Sequence, residues 1–113
     1  MPRTTKLASP ADFRRTYAEG SRSGGGALIA HVRESESVEP SRIGVTTVKG
    51  FRGAVARNRA RRRLREVVRA IEESVRPGLD IVLVAGREAN TLSFQELTHR
   101  VSDALRRAGA LHG

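Results

Sequence analysis

The chain has 113 residues, enough for one domain with a modest core and too few for two. Its 21 Lys and Arg against 12 Asp and Glu leave a net charge of +9, which points to a polyanionic partner, and the lack of Cys excludes disulfides and thiolate metal sites. No apolar run approaches the roughly 20 residues of a membrane-spanning helix, and the opening MPRTTKLASP holds no signal-peptide core, so a cytoplasmic location is expected.

Residues 1–8 read as a flexible basic tail. A first helix is expected from Ser9-Pro10-Ala11-Asp12: Ser9 can cap, Pro10 suits the first turn, and Asp12 complements the helix dipole. Gly20 is the natural stop, and Phe13, Thr16 and Tyr17 share one face. On residue type alone, Phe13 and Tyr17 are core aromatics. Residues 21–26, all Gly, Ser and Arg, read as a linker or loop. Ala27 to Arg33 is a short apolar strand, and Glu34 to Pro40 is the turn after it. Ser41 to Val48 alternates as a second strand, expected to lie antiparallel to the first.

A loop with two glycines, Lys49 to Gly53, leads into a long helix over about Ala54 to Val75. Ala60, Leu64, Val67, Val68, Ile71 and Val75 recur at helical spacing as its apolar stripe. On a wheel of ~100° per residue, Asn58, Arg61, Arg62, Arg65 and Arg69 lie along one flank of the stripe. Arg59 and Arg63 lie toward the other, and Arg57 falls close to the stripe itself. Arg76-Pro77-Gly78 ends the helix, and Leu79 to Ala85 is a nearly all-apolar strand covered on at least one face. Residues 86–91 read as a loop. Ser93-Phe94-Gln95-Glu96 is a capping box opening a last helix, which Gly109 closes before a short tail at 110–113. The order α-β-β-α-β-α makes residues 9–109 one α/β domain with a mixed sheet.

Catalytic chemistry has no constellation to rest on. His31, His99 and His112 are scattered, the carboxylates are dispersed, and no phosphate-binding glycine motif occurs, so neither catalytic nor metal-ligating residues are assigned. The basic helix is different. From Arg42 to Arg65 no Asp or Glu occurs, and nine of the chain's 21 Lys and Arg fall there. Positive charge concentrated toward a helix N-terminus opposes the helix dipole, and like charges at i,i+4 spacing repel. Both penalties are relieved when phosphates sit between the guanidiniums, whose planar fork binds phosphate oxygens in pairs. Lys49 and Arg52 bring two more cations, and backbone N–H groups, to the same end. Nucleic acid is therefore the expected partner. Flanking strands in place of a second helix make a helix-turn-helix reader of DNA the weaker choice.

At this point the residues resemble a known signature. Gly44-Val45-Thr46-Thr47-Val48-Lys49, then Ala54-Val55-Ala56-Arg57-Asn58-Arg59 with the basic run to Arg65-Glu66, is similar to the strand and RNR helix of the protein component of bacterial ribonuclease P. Asp12-Phe13 with Tyr17 resembles that family's first helix, and Asp80-Ile81-Val82 its later strand. The sequence departs from the pattern at Arg52-Gly53, at Gly50, and in lacking an aromatic near His31. The resemblance implies a two-layer α/β sandwich with a left-handed βαβ crossover through the Arg-rich helix, where a right-handed one would otherwise be assumed. It implies one protein per catalytic RNA subunit, contacted by Lys49, Arg52, Arg57, Asn58, Arg59, Arg61, Arg62 and Arg65. It implies a cleft of Phe13, Tyr17 and the sheet face at His31 that stacks the single-stranded 5′ leader of precursor tRNA. The hydrolysis would be the RNA's, with Mg²⁺ held mainly by the RNA. Two other readings use the same helix. A structural ribosomal-type RNA-binding protein would differ only in partner, and a binder of acidic membranes would need the apolar stripe free to insert.

Overall fold

Apolar alternation and helical spacing sort residues 4–36 and 39–112, those described by the computed structural model, into a five-stranded mixed sheet and three helices. In chain order these are β1 (Thr4–Lys6), α1 (Pro10–Glu19), β2 (Ser21–Gly25), β3 (Leu28–Glu34), β4 (Ser41–Thr47), α2 (Ala54–Ile71), β5 (Leu79–Ala85) and α3 (Phe94–Arg107). Short 3-10 turns occupy Glu72–Ser74 and Arg87–Asn90. Across the sheet the order is β1-β4-β5-β3-β2.

β5 is the central strand because its sequence is apolar on both faces. On one face Leu79, Ile81, Leu83 and Ala85 join Leu28, Ala30 and Val32 of β3 and Ile43 of β4, under Ala60, Leu64 and Val67 of α2 and Leu97, Val101 and Leu105 of α3. On the other, Asp80 and Val82 are buried on the side that α1 covers. The helix ends follow local chemistry. Ser93 Oγ accepts the Glu96 N–H at 3.1 Å, which caps α3, whereas Ser9 makes no side-chain cap to α1. α1 stops at Gly20 because the chain there presses on its neighbours: a Cβ would lie 2.6 Å from the Thr16 oxygen and 2.8 Å from the Val32 oxygen.

Several expectations are corrected. The reading of residues 1–8 as a flexible tail fails at Thr4–Lys6, which form a parallel edge strand on β4, with Thr4 Oγ1 donating to Glu72 Oε2 at 2.9 Å; residues 1–3 lie outside the described ones. The Gly/Ser stretch is not a linker but the antiparallel strand β2, paired from Ser21↔Val32 to Gly25↔Leu28. Such a sequence has little strand preference, and pairing with β3 imposes the conformation. β3 and β4 do not pair, because β5 stands between them, antiparallel to β3 and parallel to β4. The turn expected at Glu34 to Pro40 includes residues 37 and 38, outside the described ones. The long helix ends at Ile71, and Val75 leaves it to bridge with Leu111. Of the terminal 110–113 stretch, residue 113 lies outside the described ones; Ala110 is buried, and its carbonyl accepts the Arg76 N–H at 2.8 Å.

Candidate nucleic-acid interface

The sequence makes α2 amphipathic, and the fold packs that apolar stripe on the core, with Val68 and Ile71 partly buried at its edge. Ala60, Leu64 and Val67 have no exposure at all, so the helix cannot turn its apolar side to a lipid surface. No helix among the described residues is long and apolar enough to cross a membrane. What remains outward is the cationic side, and its residues divide by partner. Among the described residues, Lys49, Arg52, Arg59, Arg62 and Arg65 are exposed and have neither a hydrogen-bond nor an ion-pair partner. The first turn of α2 holds no acidic side chain, and Gly53 at its start provides no side-chain cap.

Arg57, Asn58 and Arg61 are brought to the same end of the helix but are partly engaged. Arg57 Nη1 donates to the Phe51 carbonyl at 3.2 Å, which fastens the preceding loop, and Arg61 Nη1 donates to Asn58 Oδ1 at 3.2 Å. Phe51 itself is buried in the core, so the loop presents Lys49 and Arg52 outward around an apolar plug. The turn this requires places Gly50 at φ 82° and Gly53 at φ 88°, a conformation that favours glycine. Arg63 points the other way: it donates to the carbonyls of Ala89 and Leu92, the latter at 2.6 Å, and holds the Arg87–Asn90 turn against α2.

On the opposite side of the sheet, the three residues expected in the cleft form one aromatic run. Phe13 and Tyr17 have ring centroids 6.4 Å apart, and Tyr17 meets His31 edge-on at 4.8 Å. Tyr17 is 41% exposed, and Phe13 is partly buried over Gly44, where a Cβ would come within 2.4 Å of the Phe13 ring. The expectation of core aromatics on residue type alone is therefore corrected for Tyr17. Burial pushes the Tyr17 hydroxyl pKa up, and burial, together with nearby Arg22, pushes the His31 imidazole down. Both rings are thus held toward their neutral forms.

An open groove of about 660 Å³ joins these two regions around the β1–β4 edge. Phe13 and Gly44 line it from one side, Arg65, Val68 and Arg69 from the other, with Lys6 at the rim. Neither Lys6 nor Arg69 stands among the RNA-contacting residues expected from sequence. Arg69 shares the helical flank of Arg65, where the wheel already places it; Lys6 gives no such signal, since only β1 pairing brings it there. Arg42, counted in sequence with the unopposed basic stretch, is instead ion-paired to Asp80 and Asp12, and hydrogen bonding to Asp80 raises its pKa. Among the described residues, no group of three or more His, Asp and Glu side chains converges to hold a metal ion.

The chain and its fold have known counterparts. A model of the Ribonuclease P family matches residues 1–109. The ribonuclease P protein component of Symbiobacterium thermophilum is 37% identical over 111 residues, covering 98% of this chain and 96% of that protein. That of Roseiflexus sp. strain RS-1 is 38% identical over 112 residues, covering 98% and 91%. In fold, the chain superposes on the RNase P protein of Staphylococcus aureus with a TM-score of 0.81 at 20% identity, covering 95% of this chain and 97% of that one. For the Thermotoga maritima protein the TM-score is 0.79 at 23% identity, with coverage of 96% and 98%.

Proposed function

Because this chain belongs to the ribonuclease P protein family, a tRNA-processing family, we propose that it binds the catalytic RNA subunit through α2 and the 5′ leader of precursor tRNA across α1 and the sheet. The observation that carries the reading is the set Lys49, Arg52, Arg59, Arg62 and Arg65, unpartnered among the described residues, on and before a helix whose apolar side packs on the core. Unneutralised guanidiniums at like-charge spacing cost stability in the free protein and gain most from phosphates. Arg57, Asn58 and Arg61 order the same end of the helix and add donors to it.

The aromatic run of Phe13, Tyr17 and His31 offers neutral ring faces and edges for unpaired bases, and the groove past Phe13 leads to Arg65 and Arg69, where the sugar-phosphate chain meets positive charge. The protein thus assists a hydrolysis that the RNA performs in the cytoplasm, where tRNA precursors are made, one protein acting with each RNA. Mg²⁺ belongs to the RNA's side of the complex, where it would activate water and offset phosphate charge. Asp12 and Asp80, on the α1 side of the sheet, are already engaged by arginines, and Glu72, which lines the groove, accepts from Thr4 Oγ1. Reconstitution with a bacterial catalytic RNA tests this: added protein should lower the Mg²⁺ concentration needed to cleave precursor tRNA. An unchanged Mg²⁺ requirement at saturating protein would overturn the proposal.

A further inference from the structure

The Asp80 side chain is only 1% exposed, an expensive place for a carboxylate. It accepts from Arg33 Nη1 at 2.9 Å and from Arg42 Nε and Nη2, both at 2.9 Å. Each arginine has a second carboxylate. Arg42 Nη1 reaches Asp12 at 3.0 Å, and Arg33 Nε reaches Glu19 at 3.1 Å. Asp12 lies in the first turn of α1 and Glu19 is its last residue. A single buried carboxylate on the central strand therefore orients two guanidiniums, one gripping each end of α1. Register puts Arg42, Asp80 and Arg33 side by side across β4, β5 and β3. Between the two grips, α1 carries Phe13 and Tyr17.

A helix held only by its small apolar face can roll or slide on the sheet, whereas one fixed at both ends keeps its ring positions. We infer that Asp80 is a positioning residue: through Arg33 and Arg42 it sets the place of α1, and so the alignment of Phe13 and Tyr17 for the leader. This inference rests on the leader-binding reading given above.

The test compares the assembled RNA–protein enzyme on two precursors, one with a leader several nucleotides long and one with a single leader nucleotide. The ratio of their affinities is the leader's contribution. Asp80→Asn, with the volume kept, should lower that ratio by roughly tenfold, within what one or two stacked bases contribute. Affinity for the one-nucleotide precursor and for the RNA subunit should not change. An equal loss on both precursors, or no loss on either, would overturn the inference. Should Asp80→Asn fail to fold, Asp12→Asn releases only one end of α1 and should lower the ratio by about threefold, as for a part-exposed pair; an unchanged ratio there also overturns it. Phe13→Ala and Tyr17→Ala separate the two levels. If these leave the ratio intact, the leader-binding reading itself fails. If they lower it and the Asp80 and Asp12 variants do not, only the positioning role fails.

Discussion

Arg33 and Arg42 on the sheet, and Arg59, Arg62 and Arg65 on α2, carry the same group in opposite circumstances. The first two converge on a buried Asp80 and share out Asp12 and Glu19 between them. The other three stand in solvent with no acidic neighbour bound to them among the described residues. Arg63 shows a third condition, an arginine of α2 spent on backbone carbonyls. What separates structural from interfacial arginines here is the partner each has found, and neither local charge density nor position in the basic stretch foretells it. Arg42 opens that stretch and is structural; Arg65 closes it and is free.

The contrast can be broken experimentally. Asp80→Ala should have the largest effect, a loss of about 3–5 kcal/mol in urea unfolding, because it strands two guanidiniums around a buried void. Next, Arg59→Ala, Arg62→Ala and Arg65→Ala combined should leave stability within about 0.5 kcal/mol per site. The same triple variant should flatten the salt dependence of RNA binding by roughly 0.7–0.9 in log–log slope for each phosphate that is no longer bound. A triple variant that unfolds like Asp80→Ala would erase the distinction. Gly44→Ala should cost about 1–3 kcal/mol by driving a methyl against the Phe13 ring, and should weaken leader binding without touching the salt slope. Arg63→Ala is the sharpening control: about 1 kcal/mol lost in thermal unfolding as two carbonyls lose a donor, with RNA affinity retained. The smallest effect concerns His31. Its pKa in the fold lies below the ordinary 6.5, so the unfolded chain takes up the proton first as pH falls. Stability from this group is present above pH 6.5 and declines as pH drops through the lowered value, and His31→Gln should remove that part of the pH dependence in denaturation curves.

Much of this was legible in sequence because it is local. The stripe of α2, the cap at Ser93, the apolar β5 and the RNR run each declare themselves within a few residues of chain. The aromatic run was partly legible, since Phe13 and Tyr17 are one turn apart, whereas His31 entered the cleft only through the family resemblance and its edge-on contact with Tyr17 only through the fold. What could not be read depends on distance. Asp80 is 38 residues from Arg42 and 47 from Arg33, so a charge count along the chain sees an unopposed arginine where space holds a pair. β1 and β2 escaped for a related reason: Thr-Thr-Lys and Ser-Arg-Ser-Gly-Gly become strands only because β4 and β3 offer them an edge.

The interposition of β5 between β3 and β4 has a consequence for how the chain acquires its shape. Before residues 79–85 exist, the only strand pairs available among the described residues are the β2–β3 hairpin and a three-residue ladder of β1 on β4. The element that unites them is made late and must enter between two strands already synthesised, pairing with both across long stretches of sequence. During synthesis, α2 is therefore complete while β5 and α3, which share the core with its apolar stripe, are still missing. The sheet is complete only once its last strand is in place, and a chain cut short of that strand loses the centre of the sheet and not merely an edge.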